Sequence, residues 1–159
     1  MTTQELVNLI NLEADELLDT DEDNIPYVNH AIDLLSFFLS DDPSLISVAT
    51  VKDKDDVPDN FQRLVPQNGY PLRIDGKKFR IIRSDRKVTI RYSTHMPHVS
   101  SLEDEIPFKE MYAGCLVLIA SYLIKKKTYI PVQYCQEDST FVQQLMAAIK
   151  QAQQGGEKA

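Results

Sequence analysis

Met111 to Ile124 is a run of 14 residues without a single charge, and a water-soluble fold can place such a run only in its interior. Met111, Tyr112, Cys115, Leu116, Leu118, Ile119, Tyr122 and Leu123 go nearly all the way round a helix rather than forming one stripe, so neighbours must cover it on every side. The run is too short to span a bilayer, which leaves a central core helix over about residues 108–126. Its polarity is marked twice. Glu103, Asp104 and Glu105 precede Pro107 at the positive end, and Lys125, Lys126 and Lys127 follow at the negative one. Gly114 reads as a close crossing by another helix, and a charge placed at Leu118 should cost several kcal/mol by being buried.

Three amphipathic segments are available to cover that helix. Thr2 or Thr3 can cap a first helix over about 3–18, where Leu6, Leu9, Ile10, Leu17 and Leu18 fall near helical spacing. The run Asp19, Thr20, Asp21, Glu22, Asp23 breaks it, and Pro26 opens a second helix over about 26–40 with an apolar stripe of Tyr27, Val28, Ala31, Ile32, Leu35 and Phe38. Asp138 or Ser139 can cap a last helix over about 139–153 carrying Phe141, Val142, Leu145, Met146 and Ile149. Tyr129 to Tyr134, with Pro131, reads as its connector, and residues 155–159 as a disordered polar tail.

Between the second and third helices the period changes from that of a helix to that of a strand. Ile46, Val48, Thr50 and Val51 are β-branched, and Val88, Ile90 and Tyr92 alternate with Lys87, Thr89 and Arg91, which predicts a sheet with one dry and one basic face over about 45–95. Asn68-Gly69 and Asp75-Gly76 mark turns, the second sharper. The expected fold is α+β, mainly α: a four-helix bundle with an antiparallel β-sheet insert between the second and third helices, one domain over 1–154. A chain of 159 residues can bury roughly two thirds of its unfolded surface, so it needs no disulfide or metal staple. Cys115 and Cys135 lack zinc or CxxC spacing and read as buried thiols. The N-terminal residues have neither the basic start nor the apolar core of a signal peptide.

Charge is sorted along this fold. Residues 1–59 hold 15 acidic and 2 basic side chains, residues 60–100 hold 2 and 9, and residues 101–159 hold 7 and 6. The two territories can neutralise each other within one molecule, or they can join copies head to tail. For the second use the basic side is Arg73, Lys77, Lys78, Arg80, Arg83, Arg86, Lys87 and Arg91, and the acidic side Asp15, Glu16, Asp19, Asp21, Glu22 and Asp23. The same cations, interleaved with Phe79 and Tyr92, could contact nucleic acid with steep salt dependence, although a pI of about 4.9 argues against wholesale binding. Lys and Arg on a wet strand face also serve plain solvation and edge protection.

Catalytic chemistry finds no foothold. No GxSxG, P-loop, GxGxxG, HExxH or zinc-ribbon spacing is present, and only five glycines are available to cradle phosphates. His95 and His98 could sit on a metal-binding turn but lack a third ligand, and His30 is alone in its helix. Asp53, Asp55, Asp56 and Asp59 match a calcium loop in charge only, without its glycine or terminal Glu. No enzyme activity, cofactor or metal is expected.

The order of elements, with Tyr27 and Asn29 near the start of the second helix, the phrase Val57-Pro58-Asp59-Asn60-Phe61 followed by Arg63 and Leu64, the β segment with Gly69-Tyr70-Pro71-Leu72 and Asp75-Gly76, and Ile106-Pro107-Phe108 opening the apolar helix, resembles the head-tail connector (adaptor, or head-completion) proteins of tailed bacteriophages. The resemblance covers nearly the full length and rests on pattern and element order. It implies a neck protein of the virion that assembles as a ring, twelvefold, on the portal protein, extends the channel through which packaged DNA passes, and presents a surface to the next neck or tail protein. In this family the last helix often docks on the portal, which implies that role for Phe141, Gln144, Lys150, Gln153 and Gln154. The β insert is fuller than in the smallest adaptors. A stopper or terminator of the same neck, or a small phage nucleic-acid-binding or regulatory protein using the basic sheet, is the alternative, and no membrane partner is expected.

Overall fold

A computed structural model describes residues 1–13, 18–66, 68–83, 85–128 and 134–157. Among the described residues the protein is α+β, roughly half helical, with four α-helices and two small antiparallel sheets. It divides into two compact units: Met1–Leu35 with Pro97–Ala159, which is helical, and Ser36–Met96, which holds the strands.

In the helical unit, α1 (Thr3–Glu13) shows how completely one helix start can be satisfied. The four N–H groups that a helix leaves without partners find them here in the 102–104 loop and in Thr2. Thr3 and Gln4 donate to the carbonyls of Asp104 and Leu102 at 2.8 and 2.9 Å, and Leu6 donates to the Thr2 carbonyl at 3.2 Å. Glu5 N–H donates to Thr2 Oγ1 while Thr2 N–H donates to Glu5 Oε2, a reciprocal capping box. Thr2 is therefore the cap. Thr3, Leu6, Val7 and Ile10 are buried, whereas Leu9 and Leu12 point outward, so the stripe runs through Val7 rather than Leu9. Leu17 lies outside the described residues.

A 3-10 turn (Asp21–Asn24) leads into α2 (Ile25–Phe38), whose Val28, Ala31, Ile32 and Leu35 are fully buried. Asn29 on α2 makes two hydrogen bonds with the backbone of Val99: its Nδ2 donates to the carbonyl at 2.9 Å, and its Oδ1 accepts the N–H at 2.8 Å. Asp33 meets His98 Nε2 at 2.8 Å one turn later.

The apolar run forms α3 (Ala113–Thr128), which packs against both α1 and α4 (Tyr134–Glu157). Cys115, Leu116, Ile119, Ala120 and Ile124 are among its buried side chains, so it is central as expected. Its start differs. A 3-10 turn (Glu110–Tyr112) separates Pro107 from the helix, which begins at Ala113 instead of about 108. The acidic stretch consequently serves the start of α1: Asp104 accepts from the N–H and hydroxyl groups of Ser100 and Ser101 at 2.8–3.0 Å, and Glu105 takes the Met1 ammonium at 3.1 Å. Leu118 is half-buried rather than core, and Gly114 is exposed, with nothing within 4 Å of where a Cβ would stand, so no helix crosses there.

The last helix is longer than predicted at both ends. Gln136 and Glu137 are good helix formers, and the helix runs through Asp138 and Ser139 instead of starting at them. It continues to Glu157, three residues into the stretch read as a tail.

In the strand unit, β1 (Ile46–Val51), β2 (Phe61–Leu64) and β5 (Val88–Thr94) form a sheet in the order β1-β5-β2, and β3 (Leu72–Asp75) pairs with β4 (Lys78–Ile81). The β3–β4 hairpin turns at Gly76-Lys77 with Gly76 at φ +64, the position that a type II′ turn reserves for glycine. The Asn68-Gly69 turn joins no paired strands, because β2 bonds to β5. Val51, Phe79, Ile81, Val88, Ile90 and Tyr92 make one core, with Phe61 edge-on to Phe79 at 6.0 Å. The segment after β1 borders β4: Lys54 N–H donates to the Phe79 carbonyl, Phe79 N–H to Asp55, Val57 N–H to Lys77, and Ile81 N–H to Asp53 Oδ1. Asp53 is thus a strand cap, and the 53–59 acidic loop is partly structural.

Candidate functional site

The dry face of the sheet is as the alternation predicts; the basic face is not. On the outer face of β1-β5-β2, Arg91 shares the surface with Val48 and the Thr50–Thr89 hydroxyl pair at 3.0 Å. The cations gather instead on the β3–β4 hairpin and the loop after it. The pairing of Arg73 with Arg80, and of Asp75 with Lys78, places three cations and one carboxylate on one hairpin. Asp56 takes Lys78 at 3.4 Å and Asp75 takes Arg80 at 3.9 Å, so two of the eight predicted cations are neutralised locally. Arg83, Arg86 and Lys87 are exposed, and none forms an ion pair with a described carboxylate of its own unit. Lys77 is exposed at the hairpin turn.

Among the predicted acidic residues, Asp15 and Glu16 lie outside the described residues. Asp21 is committed to local structure, accepting from Gln4 Nε2 at 3.0 Å and from Asn11 Nδ2 at 3.4 Å. Asp23 holds the start of the 3-10 turn by accepting the Thr20 N–H at 3.1 Å. Asp19 and Glu22 are exposed. With Asp23 they rim a hollow of about 630 Å³ whose other walls are Leu18, Pro26, Tyr27 and His30. The connection between α1 and α2 therefore carries a hollow lined by both carboxylates and apolar side chains.

The predicted portal-docking residues divide between two faces of α4. Phe141 and Gln144, with Ala148, Gln151 and Ala152 at helical spacing, line an open groove of about 700 Å³. Lys150 and Gln154 are exposed and Gln153 is half-buried, and none of the three lines that groove. Met111 of the 3-10 turn and Gly114, Leu118, Ser121 and Lys125 of α3 line it along one side, and Leu9 and Leu12 of α1 also line it. Phe141 stacks on Tyr122 at 3.9 Å between centroids, and Lys126 stands 5.9 Å over the same Tyr122 ring. Ser121 Oγ and Tyr122 Oη are buried without a hydrogen-bond partner among the described residues. The sequence pattern concealed this groove because an all-round apolar helix does not announce which stripe stays uncovered. The signal that could have found it is Leu12, 83% exposed, on the polar side of α1.

His98 is tied to Asp33, His95 and His30 are exposed, and among the described residues no three His, Cys, Asp or Glu side chains converge as metal ligands. Burial pushes the Cys115 thiol up, which makes it a poor nucleophile. The backbone N–H groups of Ser100 and Ser101, and then their hydroxyls, hold the Asp104 carboxyl down at about 2. Among the described residues no helix is long and apolar enough to cross a membrane. Neither a protein-family model nor a curated protein matches the chain.

Proposed function

We propose that this protein is a structural, non-enzymatic ring subunit of a phage neck, a head-tail connector that assembles on the portal protein and extends the DNA channel. In this arrangement the four helices form a bundle and the strand unit is its insert between the second and third helices. The observation that carries the proposal is the pairing of surface types on one chain. Arg83, Arg86 and Lys87 stand exposed in no ion pair with a described carboxylate of their own unit, and Asp19, Glu22 and Asp23 line a hollow. Oppositely charged patches made of different residues can join copies by a heterologous contact, and a heterologous contact that closes is a ring. Such a contact steers copies together and weakens as salt screens it. The groove beside Phe141 and Gln144 offers a separate, apolar surface for the portal or the next neck protein.

The test is capture of partners from a phage-producing lysate with a tagged chain, identified by mass spectrometry. Recovery of portal and neck proteins is expected. Recovery of nucleic acid or transcription proteins in their place would move the basic hairpin to a regulatory role.

A further inference from the structure

Ile82 is 89% exposed, more than any other large apolar side chain among the described residues. It follows directly on β4 and stands on a loop with exposed Arg83, Arg86 and Lys87 and one carboxylate, Asp85. The loop is turned by the Arg86 N–H donating to the Arg83 carbonyl at 3.1 Å. An exposed apolar side chain on a loop of net positive charge costs solvation in the isolated chain and has no task in the core of its own unit. The hollow at the α1–α2 corner has a complementary lining: apolar surface from Leu18, Pro26 and Tyr27, three carboxylates from Asp19, Glu22 and Asp23, and His30, and its volume of about 630 Å³ is more room than one isoleucine side chain fills.

We infer that Ile82 of one copy seats in this hollow of the next copy, with Arg83, Arg86 and Lys87 facing its acidic rim. The identification of the occupant as a second copy rests on the ring-subunit reading; the match of shape and charge is independent of it. A nucleic acid is repelled by the rim, and an acidic partner likewise. An apolar anchor within a charged rim is the arrangement in which a contact of this kind concentrates its energy at the centre while the rim sets partner choice and encounter rate. Knob and hollow are different residues of the chain, so a contact between them is heterologous and each copy can use both.

Sedimentation velocity of the full chain at low ionic strength tests this. The set is the native chain, Ile82→Asp, Arg83→Glu with Arg86→Glu, Asp19→Lys with Glu22→Lys, and an equimolar mixture of the two charge-reversed proteins. The native chain is expected to associate and to dissociate with added salt. Ile82→Asp and each charge reversal alone should sediment as monomers with unchanged circular dichroism, because all five positions are exposed. The mixture should associate again, since each reversed loop then meets a reversed hollow. Association of Ile82→Asp like the native chain, a mixture that stays monomeric, or a native chain that is monomeric throughout would each overturn the contact. Portal capture is scored separately: if the tagged chain recovers portal while Ile82→Asp still associates, the neck placement stands and this contact falls. Failure of portal capture with the charge rescue intact has the opposite meaning.

Discussion

Asn29 joins α2 to a backbone segment 70 residues away through one side-chain amide, and its replacement by Asp isolates what the amide's donor does. In the native protein Oδ1 accepts from Val99 N–H at 2.8 Å and Nδ2 donates to Val99 C=O at 2.9 Å, with Val99 only 4% exposed. Asn29→Asp preserves shape and the first bond but sets a carboxylate oxygen against the carbonyl. A lost bond at a part-buried acceptor costs about 1–3 kcal/mol, and the facing oxygens add to it, so we expect a loss of about 2–3 kcal/mol at neutral pH. Protonation turns the offending oxygen back into a donor. The folded-state pKa of the introduced acid must then lie above its unfolded value of about 3.9. The stability contributed by the proton is complete below the unfolded pKa and is lost as pH rises through the folded pKa. Urea unfolding followed by circular dichroism measures this as a difference from the native chain. With a slope of about 1–3 kcal/mol per molar urea, the midpoint should fall by about 1 M or more at pH 7 and by much less near pH 4. Asn29→Ala loses both bonds and should show a deficit that does not depend on pH. An Asn29→Asp protein as stable as the native one at pH 7, or a deficit that persists unchanged in acid, would refute the clamp.

Two further substitutions on α3 separate its covered and uncovered stripes. Ile119→Asp places a charge at a fully buried position and should prevent folding, whereas Leu118→Asp, at the groove, should cost no more than about 1–2 kcal/mol; comparable damage from both in a denaturation series would show the groove is closed in solution. Asp104, held at about 2 by four donors, has a folded pKa below its usual 3.8, so its contribution to stability is complete above that value and is lost as pH falls toward 2. Asp104→Asn should destabilise the helical unit at neutral pH and flatten the acid limb of its unfolding curve. An unchanged acid limb would assign that limb to other carboxylates.

How far the chain could be read in advance depended on whether a signal was local. The central place of α3 followed from its uncharged run, the Asp75-Gly76 turn from the need for positive φ, and the dry strand face from the alternation at Val88, Ile90 and Tyr92. Boundaries failed where a competing interaction was remote in sequence. Pro107 looked like a helix start, yet Glu105 is bridged to Thr2, which carries the chain past the expected first turn before Ala113 begins the helix. The pairing of β2 with β5 was hidden for the same reason: a turn signal at Asn68-Gly69 is visible in the sequence, but which strand lies alongside is decided by residues about 30 positions away.

The candidate contact surfaces were half legible on the same principle. Charge sorting is a property of composition, so it named the two territories, but it could not distinguish a carboxylate with a structural duty from one without. Asp21 and Asp23 bond inside their own unit and Lys78 and Arg80 have local partners, whereas Asp19 and Glu22 on one side, and Arg73, Lys77, Arg83, Arg86, Lys87 and Arg91 on the other, are exposed and in no ion pair among the described residues. What singles out Asp19, Glu22, Arg83, Arg86 and Lys87 is the apolar surface beside each group: exposed Ile82 next to Arg83, and Leu18, Pro26 and Tyr27 lining the same hollow as the carboxylates. Exposed ion pairs alone are worth little, about 0–1 kcal/mol each, so the proposed ring contact cannot rest on charge sorting by itself and needs an apolar centre, which under this proposal Ile82 and the hollow supply.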